Sequence, residues 1–294
     1  MRGAAVITVI LLCKIVQCIY TKRMSTDIHG RTQLMTSTAY QYLLCMLLAA
    51  MLLPAGHGGL LSPEAAGISF VGGIALFGST LCSLMAMKNG TMLLATLFGS
   101  AGLVIPCVAG IFLFGEPLSI WQCLGMAGLI YAAYLLVGCS RQIYNGFSAK
   151  SLLYLLGAFL SNGIVMLTQK FYALSVPEGE VSVFSFLAFG TAFLLLGIAG
   201  FADIRRTGSR LKEIMPKQLL IYGALLSAVL FLINYLATEA SAIVPSVILF
   251  SLVNGGSTVI SALVAAILYR EPVSRKSALG IVVSIAALIV INTF

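Results

Sequence analysis

A six-residue phrase occurs twice in this chain, each time at the end of a long apolar run. Residues 114–119 read FGEPLS, and residues 269–274, which lie 155 positions later, read YREPVS. The longer segments 111–125 and 266–280 match at six of fifteen positions without a gap. Similarity at one fixed offset indicates that the chain is a doubled unit, so each half should contain the same elements in the same order.

The composition indicates that both halves lie in a membrane. Of the 294 residues, 60% are hydrophobic and only 9% are charged, whereas a soluble domain carries about a quarter charged residues. Strand-like alternation is absent, and a backbone in lipid then satisfies its hydrogen bonds as helices. Ten apolar stretches have the length that a helix needs to cross hydrocarbon: residues 3–20, 37–54, 65–87, 90–114, 118–139, 151–170, 181–202, 217–238, 243–269 and 276–293.

We therefore predict an all-α integral membrane protein with ten transmembrane helices in two inverted five-helix repeats around a central cavity. Five spans per half is an odd number, so the second half enters the membrane from the opposite side. Residues 1–139 form the first repeat, 140–150 the linker and 151–294 the second repeat. A secretory signal peptide is the alternative for the first stretch, but Lys14 and Gln17 interrupt its apolar core.

The basic residues predict the orientation of the spans. Fourteen lysines and arginines fall on the side of the loops that follow spans one, three, five, seven and nine, whereas only Arg2 and Lys170 fall on the other side. Because cytoplasmic loops are enriched in lysine and arginine, this bias predicts a plasma-membrane protein with both termini outside. The net charge of +8 then reflects topology and anionic lipid headgroups, not nucleic acid.

Residues with metal-binding or catalytic chemistry do not cluster in the sequence. The seven cysteines are scattered singly, mostly inside the spans, and the two histidines, His29 and His57, stand alone in loops. Buried cysteine usually behaves as a small apolar residue. We therefore predict no metal site and no cofactor, and a membrane enzyme is disfavoured because no nucleophile–base set is visible.

The arrangement of spans and motifs resembles the drug/metabolite transporter superfamily. In each half, GEP or REP closes the fourth span, and a glycine follows nine residues after the glutamate. The subgroup that the chain most resembles is built from two EamA domains, and the resemblance covers essentially the whole chain. It implies an ATP-independent transporter, and inverted repeats of this kind place their site between the halves.

The first span of each half carries polar residues at matching positions. Lys14 lies eight residues before a lysine, as does Asn162 at an offset of 148. Small multidrug resistance proteins, which belong to the same superfamily, carry at this position a glutamate that couples protons to export of cationic drugs. Lysine and asparagine here argue against such cation exchange. Lys14 would favour an anionic substrate if it lines a cavity, and the alternative is that it snorkels to the interface.

Other spans also place polar side chains on one helix face. Ser79 and Ser83 in span three correspond, at an offset of 155, to Asn234 and Thr238 in span eight. Span nine adds a polar stripe with an asparagine, and the matching level of span four adds an aromatic residue. Helix packing is the alternative role for the hydroxyls. The predicted substrate-binding residues are Lys14, Gln17, Ser79, Ser83, Phe98, Asn162, Gln169, Asn234, Thr238 and Asn254.

Glutamates at span ends have two interpretations. Glu116 and Glu271 are each followed by a proline, Pro117 and Pro272, which stops the helix. Each carboxylate would either anchor a helix end, by bonding a loop backbone or an arginine, or act as a gate, and we favour the anchor. Glu239, at the outer end of span eight, is the candidate for proton coupling, with an interfacial acid as the alternative.

Secondary transport is the function that these features favour. We expect an exporter of a small organic metabolite, acidic or zwitterionic and amino-acid-like, that works by alternating access. A drug efflux pump, a flippase for a lipid-linked intermediate and a non-transporting membrane scaffold are the alternatives. The expected partners are the small-molecule substrate and the lipid bilayer. Gly125 and Gly128 would serve helix packing in a monomer or a weak homodimer.

Overall fold

The computed structural model describes residues 2–28, 30–53, 62–89, 98–117, 119–137, 149–176, 181–208, 214–268 and 275–293. Within these ranges the chain is all helical, and no residue lies in a strand. Glu271 and Pro272, to which the sequence assigned an anchor or gate role, lie outside the described residues, as do both histidines.

Within the described residues, we group the helical segments into five helices in each half of the chain. The first half contains α1 (Arg2–Asp27), α2 (Arg31–Met51), α3 (Pro63–Asn89), α4 (Val104–Phe114) and α5 (Ile120–Val137). The second half contains α6 (Ala149–Ser175), α7 (Val181–Thr207), α8 (Lys217–Ser241), α9 (246–267) and α10 (Arg275–Thr293). Helix α9 consists of Ser246–Phe250, a π-helical turn at Ser251–Gly255, and Gly256–Ile267.

Glycine and proline set the end of α4. Gly115 adopts a left-handed conformation with φ of 62°, which glycine enters without strain. The N–H of Glu116 then donates back to the carbonyl of Gly110 at 2.9 Å, closing the last turn as in other glycine-terminated helices. Pro117 follows and cannot continue the helix. The repeated GEP phrase therefore turns the chain sharply and leaves the Glu116 side chain next to the bundle.

The exterior of the bundle suits lipid. Helices α1, α2, α3, α6, α7 and α8 are long and apolar enough to cross a membrane, and shorter apolar helices lie within the α4, α5, α9 and α10 regions. Large apolar side chains face outward, for example Phe112, which is 81% exposed, and Ile120, which is 79% exposed. Hydrocarbon solvates such side chains better than water does. The prediction of an all-helical chain is confirmed for the described residues, and six of the helices are candidates to span a membrane by length and composition.

The helices pack mainly across the boundary between the two halves. Helix α3 contacts α6 and α7, α2 contacts α7 and α8, α1 contacts α8 and α9, and α5 contacts α10. The largest apolar core joins α1, α9 and α10 through residues such as Ile10, Phe250 and Ile291. A second core joins α2 and α7 through Tyr42 and Phe189. The interior of the protein is therefore formed jointly by both halves.

Small residues bring α5 and α10 into close contact. A Cβ atom on Gly125 would lie 2.5 Å from Ile291 Cγ1 and 3.1 Å from the carbonyl oxygen of Ala287. A Cβ atom on Gly128 would lie 3.1 Å from Ala287 Cβ. The first position therefore requires glycine for this packing, and the predicted packing role of both glycines lies inside one chain, between its two halves.

Candidate substrate-binding cavity

A cavity of about 210 Å³ lies among α1, α2, α3, α6, α8 and α9. The sequence predicted spans one, three, four, six, eight and nine around it. The structure differs at one helix, because Tyr42 of α2 lines the cavity whereas none of the described residues of α4 does. Helix α4 contacts α6 and α9, while α2 packs directly on α8. Residues 90–97 of the predicted span four lie outside the described residues.

Six of the ten predicted binding residues line this cavity. All six are polar, and they come from five different helices. They are Lys14, Ser79, Asn162, Gln169, Asn234 and Asn254. Residues at matching positions of the two halves therefore meet at one cavity, which requires that the halves pack face to face.

Lys14 is the only charged residue among the described residues that line the cavity. Its side chain is half-buried on α1, and it forms no hydrogen bond or ion pair within the described part of the chain. An ammonium that is withdrawn from water is stabilised by an anion or by several hydrogen-bond acceptors. Lys14 therefore places a positive charge at the cavity without a partner among the described residues.

An amide pair connects α6 and α8 at the cavity wall. Gln169 Nε2 donates to Asn234 Oδ1 at 3.0 Å, and Asn234 Nδ2 donates to the carbonyl of Leu230 at 2.9 Å. The backbone carbonyl of Gln169 also accepts a hydrogen bond from Ser241 Oγ at 3.2 Å. Because these groups are mutually satisfied, they hold α6 and α8 in a fixed relation.

Asn162 and Asn254 are each held by a backbone carbonyl. Asn162 Nδ2 donates to the carbonyl of Gly99 at 2.6 Å. Asn254 Nδ2 donates to the carbonyl of Phe250 at 3.1 Å and approaches Met166 Sδ at 3.4 Å. Asn254 lies in the π-helical turn of α9, and such irregular turns are frequent at functional sites. Both amides keep a side-chain oxygen that can accept a hydrogen bond.

Aromatic and apolar side chains form the remaining wall, and the sequence did not predict them. Tyr42 and Phe250 both line the cavity. The Tyr42 hydroxyl shares a hydrogen bond with Thr80 Oγ1 at 2.9 Å, and its ring packs on Phe189 with centroids 5.7 Å apart. A buried tyrosine hydroxyl requires such a partner, but this partner lies on another helix. No repeated or periodic pattern in the sequence identifies it.

The other four predicted binding residues lie away from the cavity. Thr238 is buried, but its hydroxyl donates to the carbonyl of Asn234 at 2.9 Å. Phe98 packs in a small apolar cluster with α3 and α6. Gln17 and Ser83 are half-buried and do not line the cavity. A step of four residues advances about 6 Å along a helix, so Ser83 and Thr238 share a face with lining residues but lie beyond the cavity.

A buried ion pair lies immediately beyond the cavity. Lys170 Nζ lies 2.7 Å from Glu116 Oε1 and donates to the carbonyl of Val244 at 3.1 Å. Glu116 Oε2 accepts the backbone N–H of Ser246, at the start of α9, at 2.9 Å. These four residues, Glu116, Lys170, Val244 and Ser246, are named the anchor cluster. Through these contacts, the anchor cluster joins the end of α4, at Glu116, to α6, at Lys170. It also joins both to the turn between α8 and α9, at Val244 and Ser246.

The anchor cluster corrects the sequence-based placement of Lys170. The charge pattern counted this lysine on the outer side, at the end of span six, but it lies inside α6 and is 3% exposed. The sequence reasoning missed it because burial depends on a carboxylate from a different helix. Glu116 makes the backbone contact that an anchor requires, and its cationic partner is a lysine instead of an arginine. Pro117 is exposed beside it.

Glu239, the candidate for proton coupling, does not reach the cavity. It lies near the C-terminal end of α8 with an exposed side chain. The sequence favoured it as the carboxylate closest to the apolar core, but the side chain of Glu116 is 14% exposed and lies much deeper. The position of Glu239 agrees with the alternative, an interfacial acid.

The fold is shared with a protein of known crystal structure. The two chains superpose with a TM-score of 0.74 at 15% sequence identity, over 99% of this chain and 96% of the other. No protein-family model and no curated protein matches the chain. At 15% identity the structural likeness shows the arrangement of the helices alone.

Proposed function

We propose that this protein is a secondary, ATP-independent transporter that exports a small acidic or zwitterionic metabolite across the plasma membrane. The observation that carries the proposal is the Lys14 ammonium, which has no partner among the described residues and lines a cavity between the two halves. A carboxylate or phosphate on the substrate would pair with this ammonium. The amide oxygens of Asn162 and Asn254 would accept hydrogen bonds from the rest of the substrate.

The helix contacts support an inverted repeat of ten spans. If the halves are exchanged, α1 corresponds to α6, α2 to α7, α3 to α8, α4 to α9 and α5 to α10. Three contacts then have counterparts: α3–α6 corresponds to α1–α8, α3–α7 to α2–α8, and α4–α6 to α1–α9. Three other contacts, α2–α7, α4–α9 and α5–α10, each correspond to themselves. Inverted repeats of this kind bind substrate at their interface and alternate access by rocking one half against the other.

Membership of the drug/metabolite transporter superfamily, with two EamA domains, is part of the proposal. It is supported by the order of the helices and by the GEP phrase, which ends α4 and places Glu116 against the opposite half. The proposed orientation keeps both termini outside. Because Lys170 is buried, it no longer counts as a basic residue of the outer loops. The bias is then fourteen basic residues on the proposed cytoplasmic side against one, Arg2, on the outer side. Activity of a cytoplasm-only reporter fused to the C-terminus would contradict this orientation.

Transport by purified protein in proteoliposomes tests the function. Wild-type protein should move radiolabelled carboxylates or amino acids down their gradient without ATP. Lys14→Ala should reduce flux at low substrate concentration by about tenfold to a hundredfold, since a hydrogen bond to a charged group contributes roughly 1.5–3 kcal/mol. Lys150→Ala is the matched control, because Lys150 is exposed at the start of α6 and should transport as wild type.

The same vesicles separate the alternatives. Movement of a fluorescent lipid without solute flux would favour the flippase, and movement of a cationic dye would favour a drug efflux pump. Lys14→Glu should abolish flux of anions while leaving insertion into the membrane intact. Unchanged solute flux by Lys14→Ala would show that Lys14 does not bind substrate.

A further inference from the structure

The anchor cluster connects the two halves at one end of the cavity. Glu116 belongs to the first half, and its contacts are to Lys170, in α6, and to the start of α9, both in the second half. Lys170 follows directly after Gln169, which lines the cavity. Any movement that separates α4 from α6 at this end therefore breaks the ion pair.

Both charges of the ion pair have partners, and Lys170 is shielded from solvent. Lys170 is 3% exposed, and its ammonium contacts both the Glu116 carboxylate and the carbonyl of Val244. The second carboxylate oxygen accepts the N–H of Ser246. Removing one charge leaves the other buried without a partner, whereas replacing both charges by groups of similar shape is close to neutral. The pair therefore stabilises the contact between α4 and α6 only while both charges are present.

The surroundings of the pair are built to accommodate it. A Cβ atom at Gly110 would lie 2.6 Å from Glu116 Oε2, so glycine at this position makes room for the carboxylate. The rings of Phe114, at the end of α4, and Phe171, on α6, pack on each other with centroids 6.0 Å apart. Cys107, one turn before Gly110 on α4, is 1% exposed and lies near the same carboxylate. The α4–α6 contact thus buries Lys170 and Cys107 and leaves the Glu116 side chain 14% exposed.

We propose that Glu116 and Lys170 form an ionic lock that holds this end of the cavity closed and opens when α4 separates from α6 during transport. The lock deepens the proposed function and rests on it for its purpose. Its opening, however, is measurable without substrate, because it would expose Cys107 to water. Cys45 is the internal control, since it is 0% exposed in the separate core of α2 and α7.

The experiment measures thiol alkylation by a sulfonated maleimide in lipid nanodiscs, where both faces of the protein are accessible. Two background proteins each keep one cysteine, Cys107 or Cys45, with the other cysteines replaced by alanine. In the Cys107 protein, Glu116→Gln and Lys170→Met should each accelerate alkylation at least about tenfold, because each leaves a buried polar group or charge unpaired in the closed state. The double variant should return to within about threefold of the parent, since neither charge remains.

The pattern across the two thiols decides the outcome. Acceleration at Cys107 without acceleration at Cys45 supports the lock. Equal acceleration at both thiols would indicate general loosening, and no acceleration at either would indicate a passive anchor; each result overturns the proposal. If no solute is transported while Cys107 responds as expected, the proposed function fails and the lock stands.

A second variant keeps the test decisive if the charge variants do not fold. Gly110→Ala retains both charges but pushes the Glu116 carboxylate out of its position, because the added Cβ would lie 2.6 Å from Oε2. It should also accelerate alkylation of Cys107. Gly67→Ala is its control, since nothing lies within 4 Å of a Cβ at Gly67. Equal alkylation rates in the two glycine variants would contradict the lock.

Discussion

The polar faces of α1 and α6 occupy matching places in the two halves, yet they are built differently. On α6, the side chains of Asn162, Gln169 and Lys170 are each held by a hydrogen bond or an ion pair. On α1, Lys14 has no such partner among the described residues, although it lines the same cavity as Asn162. The position is therefore hydrogen-bonded in the second half, at Asn162, and without a partner among the described residues in the first half, at Lys14.

The difference separates structural from ligand-binding polar groups. A polar group that is already paired stabilises the fold, because its removal leaves a buried partner unsatisfied. An unpaired group has no such effect and is available to a ligand. Lys170 and Lys14 thus have opposite expected roles, although both are lysines within helices of the bundle.

The largest effect on stability is expected from Lys170→Met. The substitution leaves the Glu116 carboxylate half-buried without its cation, so the free energy of unfolding should fall by about 3–5 kcal/mol. Thermal unfolding in detergent, followed by helical circular dichroism, measures the change. Adding Glu116→Gln should restore most of the loss. A single variant that melts as wild type would show that the ion pair does not stabilise the fold.

Lys14→Asn makes the α1 face resemble the α6 face. Because Lys14 has no partner to leave unpaired, thermal stability should stay equal to wild type or rise. Binding of an anionic substrate should weaken by about tenfold to a hundredfold, which corresponds to roughly 1.5–3 kcal/mol for a charged hydrogen bond. Flux measured over a range of substrate concentrations gives this change. A loss of stability as large as that of Lys170→Met would remove the distinction between the two lysines.

Gln169→Leu tests the satisfied amide pair. The change removes the donor to Asn234 Oδ1 and should lower the free energy of unfolding by about 1–3 kcal/mol, because a buried acceptor loses its partner. Thermal unfolding again measures it, beside the double variant in which Asn234 is also replaced by leucine. The double variant should be more stable than the sum of the two single changes predicts. Additive losses would show that the two amides act independently.

The all-helical class was predictable from the sequence because a membrane helix needs only a local property, an apolar run of sufficient length. It predicted Lys14, Asn162 and Asn234 at one cavity because the repeat relates positions in the two halves. Burial of Lys170 was not predictable in this way, since it depends on Glu116 from a different helix. Tyr42 was missed for the same reason, because its hydrogen-bond partner lies on α3.

The sequence also left undetermined how far along a helix face the cavity extends. Gln17→Ala tests this extent, and it is the substitution with the smallest expected effect on stability and transport. Helical spacing places Gln17 on the face of Lys14, but Gln17 lies away from the cavity. Its replacement by alanine should change the free energy of unfolding by less than about 0.5 kcal/mol, as for other positions without special contacts, and should leave flux unchanged. Ser83→Ala should behave in the same way, because Ser83 lies one turn beyond Ser79 on α3. Both variants belong in the vesicle assay beside Lys14→Ala at matched protein levels. A loss of transport by Gln17→Ala comparable to that of Lys14→Ala would show that the substrate contacts α1 over more than one turn, and that the binding surface extends beyond the cavity seen here.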